Sequence, residues 1–251
     1  MLVLPIEIQS ITGLHRAMLF DGIYLLNKAV HVLSASQVHI DVGMCSWSLS
    51  NAYQSAFFAM KACALLLGMA VAEIDSSVYV IDLCAETAIS KKTSRYIPPK
   101  VIRVMKSQRI EHRQYWGLFS RLLRISDIPV SLLSGDLKAA LIALNNSDFA
   151  SQRNLLHYDN TSWVLSDLQQ LIARDDFAAD TAAIRSGQAL DTDRDDFSVS
   201  LAIVLVGFGM SLLRDAAAVS NAIGEEVQIL RVWIQNAPNG RFLDVYPEGA
   251  A

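Results

Sequence analysis

The chain has 251 residues, of which 52% are hydrophobic and 18% charged, with a mean hydropathy of +0.30 and a formal net charge of −4. That balance excludes intrinsic disorder, which needs low hydrophobicity and high net charge. With only 12 Gly and 6 Pro, the chain is neither collagenous nor a linker, and so few breakers favour long helices over a sandwich of short strands.

The first helical pattern runs from about Ser10 to Leu33, where Ile11, Leu14, Met18, Leu19, Ile23, Leu26, Val30 and Leu33 recur at helical spacing. A break is expected around Ser34 to Gly43. The second pattern, about Leu49 to Ala72, is apolar nearly all round, with Gln54 and Lys61 leaving a thin polar stripe. Such a helix belongs at the centre of a bundle. A further helix is expected at about Ser76 to Ile89.

From Ala88 to Arg124 the composition shifts abruptly, with ten basic residues against one acid, Glu111. The net −4 is therefore about +9 in this segment against −13 over the remainder. Pro98-Pro99 can open a helix. On a wheel at ~100° per residue, Val101, Val104, Met105, Tyr115, Trp116, Phe119, Leu122 and Leu123 share one arc of Lys100–Ile125, and the bases share the other. The reading is one long amphipathic helix with a core face and a positive face.

After Pro129 a helix with Leu137, Leu141, Ile142 and Leu144 stops near Asn145-Asn146. Ser147 or Asp148 can cap the next, and Thr161–Arg174 forms another. Residues 159–196 are acidic, with nine acids against three bases. Phe197–Leu213 is a 17-residue stretch without a charge. It reads as a buried core helix, with a membrane span as the competing reading. The architecture is thus all-α: a helical bundle over 1–180, followed by an acidic loop and a C-terminal helical extension (181–251) packed on the same core.

The N-terminus, MLVLPIEIQS, lacks the basic region and cleavage site of a signal peptide, so a cytoplasmic protein is expected. Cys45, Cys63 and Cys84 form no CxxC or Cys/His pattern, so no structural metal is expected, and no cofactor. There is no phosphate-binding lysine loop, dinucleotide fingerprint, HExxH or GxSxG. Gly207-Phe208-Gly209 lies inside an apolar helix and reads as a packing contact. His15, His31 and His39 stand alone, and His112 falls on the apolar arc of the basic helix.

His157 has company. In SQRNLLHY, Arg153 and His157 are four apart and share one helix face. A guanidinium that grips phosphate beside an imidazole that exchanges protons near neutrality suits attack on a phosphodiester. An ordinary surface pair, held by Asp148 or Asp159, is the plain alternative.

AYQSAFFAMKACALLLG resembles the central helix of the HEPN superfamily, and RNLLHY resembles its downstream Arg-Asn…His signature. HEPN domains are helical bundles, and many are metal-independent endoribonucleases of toxin–antitoxin, abortive-infection and CRISPR-associated defence systems. The active members generally dimerise around one RNA backbone. The family's usual spacing is Arg-x4–6-His, whereas this chain has Arg-x3-His and places Tyr158 at the x4 position. One residue fewer turns the histidine by about 100°.

The resemblance implies attack of an RNA 2′-hydroxyl on the adjacent phosphate. His157 would be general base or acid, Arg153 would stabilise the phosphorane, Asn154 would position it, and Tyr158 would orient or donate. Arg103, Lys106, Arg109 and Arg113 would guide the RNA backbone. Expected partners are RNA, a second copy of the chain, and an antitoxin or other protein. A non-catalytic HEPN-like binding module, and a structural helical protein whose basic face meets an acidic partner, remain alternatives.

Overall fold

A computed structural model describes residues 11–83, 103–107, 110–144 and 197–219, together with Gln228. Among these, the elements in chain order are α1 (Ile11–Asp41), α2 (Cys45–Leu66), β1 (Met69–Ile74), β2 (Ser77–Asp82), β3 (Arg103–Ser107), α3 (His112–Ile125), α4 (Gly135–Ala143) and α5 (Phe197–Val219). The described part is mainly helical, as the residue pattern implies, with one small antiparallel sheet in the order β1-β2-β3.

α1 runs unbroken through the segment where the sequence predicts a break. Its polar residues there satisfy their side chains inside the protein: Ser36 donates to the Ser48 carbonyl at 2.8 Å, and Gln37 donates to Asp41 Oδ1 at 3.0 Å. Both are buried. Hydrogen-bonded serines of this kind cost a helix little when a neighbour meets them. The helix ends at Asp41, and two residues on, Gly43, whose φ of 80° favours a residue without Cβ, turns the chain so that α2 runs back beside it.

α2 packs along α1 on one side and against α5 on another. Ala52, Ala56, Ala59, Ala62 and Cys63 are fully buried, and such small side chains let both neighbours approach closely. Ser55 donates to the Ala29 carbonyl of α1 at 2.7 Å, and Cys63 Sγ to the Leu205 carbonyl of α5 at 3.5 Å. Gly209 marks the tightest crossing. A Cβ there would lie 2.8 Å from Leu26 Cδ1 and 3.4 Å from Cys63 Sγ. The GFG sequence is thus a packing contact in this position, as its apolar surroundings imply.

One described helix is long and apolar enough to cross a membrane, Phe197–Ala216, and 78% of that window is buried inside the protein. Leu201, Leu205 and Leu213 have no exposed surface. Each fully buried leucine contributes ~1.5–3 kcal/mol, so α5 supplies core rather than a lipid-facing surface. It shares one hydrophobic cluster with α1, α2, α3 and α4.

The sheet corrects two helical expectations. α2 stops at Leu66, and Gly68 (φ 90°) turns the chain into β1. β1 and β2 then form a hairpin with Ile74 opposite Ser77. Asp75 and Ser76 between them both have positive φ (48° and 60°), as a two-residue type I′ turn requires. So Ser77–Asp82 is a strand, not part of a helix; its Val-Tyr-Val-Ile run fits a pleated, largely buried surface.

The second correction concerns the basic segment. β3 pairs with β2, with Val104 opposite Ile81 and Met105 opposite Val80, and helix begins only at His112. Val104 packs with Met18, Ala70, Ile81 and Leu83, whereas Met105 packs on the main core. Both sheet faces are covered, so apolar residues one position apart each find a core. Gln114 accepts from the Glu111 backbone N–H at the start of α3 in a capping box.

Candidate functional site

α2 is largely enclosed; Trp47, Asn51, Gln54, Phe58, Lys61 and Leu65 keep some exposure along one stripe, and Leu49 and Leu66 are partly exposed beside it. The spacing of three and four is that of one helix face. α1 borders this stripe on one side and α3 on the other.

At its centre lies a group of cations and rings. Lys28 of α1 places Nζ 4.2 Å from the centroid of Phe58. Lys61 of α2 places Nζ 4.8 Å from the Tyr115 ring and 5.7 Å from Phe57. His112, the first residue of α3, stacks on Phe57 with centroids 3.9 Å apart, and its Nδ1 is 3.1 Å from the hydroxyl of Tyr53. Tyr115 meets Phe57 edge-on. The stacked histidine and edge-on tyrosine fix the N-terminus of α3 against α2, and each such ring contact contributes ~0.5–1.5 kcal/mol beyond burial.

The electrostatics of this group are one-sided. Lys61 is half-buried and its pKa is lowered, first by desolvation and then by the neighbouring charge of Lys28. Burial also raises the pKa of Tyr115. α2 carries no acidic residue, and α1 carries none between Asp21 and Asp41. The site can attract an anion and offers flat ring surfaces beside it.

At the α1–α2 tip, His39 Nδ1 is 2.9 Å from Asn51 Nδ2, and Trp47, Met44 and Val42 are exposed. Burial lowers the pKa of His15. Cys63 is completely buried, and burial pushes its thiol far above the usual range. Among the described residues no group of three or more His, Cys, Asp or Glu could hold a metal ion.

Arg153, Asn154, His157, Tyr158 and Arg109 lie outside the described residues. Arg103 and Lys106 are on β3 rather than on a helix, opposite Asp82 and Tyr79. A strand separate from α3 does not continue a helical stripe, so these two positions do not extend the face of Arg113. Arg113 is exposed on α3, in line with the exposed Arg121 and Arg124. The positive helix face is therefore real but shorter, and it comprises these three arginines.

Sequence reasoning missed Lys28 and Lys61. Lys61 stood out only as an interruption in an apolar helix, and Lys28 had no local signal.

Residues 24–115 match the family model of the HEPN domain. The match begins within α1, takes in α2 and the sheet, and ends at Tyr115, so it contains the whole Lys28–Lys61 cluster. Over this span, somewhat more than a third of the chain, the protein is similar to a HEPN domain, and the matched residues include the buried alanine-rich α2. The Arg153–Tyr158 segment lies beyond the matched residues. No curated protein and no solved structure matches the chain.

Proposed function

We propose that this HEPN-like protein is a metal-independent endoribonuclease acting as a cytoplasmic homodimer in a bacterial defence or toxin–antitoxin system. The observation that carries the reading is the HEPN match over 24–115 in a chain that continues to an Arg-Asn…His sequence at 153–157. The positive face of α3, with exposed Arg113, Arg121 and Arg124, supports contact with a polyanion. In this reading His157 moves the proton between the 2′-hydroxyl and the leaving 5′-oxygen. Arg153 neutralises the charge that develops on phosphorus-bound oxygen, assisted by Asn154 and Tyr158.

The short Arg-x3-His spacing favours a second reading, a non-catalytic RNA-, nucleotide- or protein-binding module within a larger complex. Incubation of labelled RNA with the full chain in EDTA separates the two. Catalysis requires cleavage that His157→Ala and Arg153→Ala abolish. Salt-sensitive RNA binding without cleavage supports the binding module, and equal cleavage by His157→Ala assigns the activity to a contaminant.

A further inference from the structure

Lys28 and Lys61 come from different helices, 33 positions apart in the chain, and meet only because α1 and α2 form an antiparallel hairpin. Lys28 Nζ lies 4.2 Å from the ring of Phe58, which stands one helical turn before Lys61 on α2, and Lys61 Nζ lies 4.8 Å from the Tyr115 ring. Neither has a carboxylate partner among the described residues. Asp21, the nearest acid along α1, lies two turns from Lys28, ~10 Å along the axis. Glu111 precedes α3 and takes part in that helix's capping box.

Lys28 is exposed and Lys61 half-buried, so two like charges face the same open stripe, and an anion bound beside them would be favoured. The rings of Phe58 and Tyr115 under the two ammonium groups offset their repulsion only in part. Rings and cations side by side also match the two halves of a nucleotide, since a base can stack where a ring is open and its phosphate can reach the lysines. A lysine pair presents compact point charges, which bind phosphate well without demanding the bidentate geometry of arginine.

We propose that Lys28 and Lys61, set over the rings of Phe58 and Tyr115 on the open stripe of α2, form a binding site for a phosphate group of a nucleotide or of an RNA backbone. The site is separate from Arg153 and His157, and it stands whether or not the protein cuts RNA. It binds phosphate through two charge-assisted hydrogen bonds, and no bond is made or broken there.

The test is isothermal titration calorimetry on the full chain carrying His157→Ala, so that RNA stays intact. The probes are inorganic phosphate, adenosine monophosphate and a single-stranded RNA dodecamer. Lys28→Gln and Lys61→Gln are each compared with Arg16→Gln, an exposed charge on the same helix. Thermal unfolding verifies that each variant folds. A tenfold or greater loss of affinity in both lysine variants, with Arg16→Gln unchanged, is expected. If the mononucleotide or phosphate shows this pattern, the source is a free ligand.

If only the dodecamer shows it, the source is the RNA backbone, and each lost lysine lowers the log–log salt slope by about 0.7. Equal affinity across all variants, or no binding of any probe at low salt, overturns the proposal. The outcome is independent of cleavage. An enzyme that cuts RNA through His157 while ignoring both lysines refutes this site alone, and a protein that binds phosphate here but never cuts RNA refutes the nuclease alone.

Discussion

The crossing of α1, α2 and α5 at Gly209 gives the sharpest test of the fold. Carbon atoms in contact prefer separations of ~3.5–4.0 Å, yet a Cβ at residue 209 would stand 2.8 Å from Leu26 Cδ1. Leu26 is fully buried, so its terminal methyls can yield only by displacing other core side chains. Gly209→Val introduces that Cβ and two more methyl groups. Overpacking of this kind costs ~1–3 kcal/mol, against which a helix gains only a few tenths from replacing glycine by valine.

The net expectation is a loss of about 1–3 kcal/mol. Leu26→Ala alone costs ~2–5 kcal/mol by opening a cavity, and the valine can then occupy part of it. The double variant should therefore be more stable than the sum of the single losses by ~1–2 kcal/mol. Chemical denaturation of the four proteins measures this cycle. Gly135→Ala, where a Cβ meets nothing within 4 Å, serves as a control that leaves stability near wild type. Additivity within ~0.5 kcal/mol would refute the close approach of α1 and α5.

Three further outcomes follow from the buried groups. Cys63, sealed between α2 and α5 with its thiol pKa raised, should resist alkylation in the native protein and react once denatured, as peptide mapping by mass spectrometry can show; native labelling at Cys63 contradicts the packing. His112→Ala removes the stack on Phe57 and the contact with Tyr53 and should lower stability by ~1–3 kcal/mol, read by denaturant midpoint, with His112→Phe restoring the ring contact but not the hydrogen bond.

The third outcome concerns pH. Burial lowers the pKa of His15 from 6.5, so the unfolded chain binds its proton more readily than the folded one. Stability from this group is present above the unfolded value and is lost as pH falls through the folded one. Stability of His15→Gln relative to wild type should therefore rise on acidification below about pH 6.5. A constant difference between pH 7.5 and 5 contradicts that assignment.

The helices whose burial is uniform were the most legible in the sequence. α2 and α5 are apolar on nearly every side because neighbours cover nearly every side, and the residue pattern states this directly. α1 was harder, since Ser34, Ser36 and Gln37 look like a break until their hydrogen bonds to Val30, Ser48 and Asp41 are known. β3 misled for a different reason. Val104 and Met105 fit a helical pattern, but a strand covered on both faces places no periodic demand on its apolar residues.

The positive patch on α3 was readable from Arg113, Arg121 and Arg124, whereas its supposed extension to Arg103 and Lys106 depended on a helix that does not form there. Lys61 shows in the sequence only as a polar interruption of α2, and nothing there pairs it with Lys28. Only the register of the α1–α2 hairpin brings the two together.

The proposed cleavage of RNA by attack of the 2′-hydroxyl leaves its signature in the ends of the products. RNA incubated with the wild-type chain in EDTA should yield fragments with a 2′,3′-cyclic phosphate and a 5′-hydroxyl, and these should vanish with His157→Ala. Fragments ending in 3′-hydroxyl and 5′-phosphate, or intact RNA under every condition, contradict the claim.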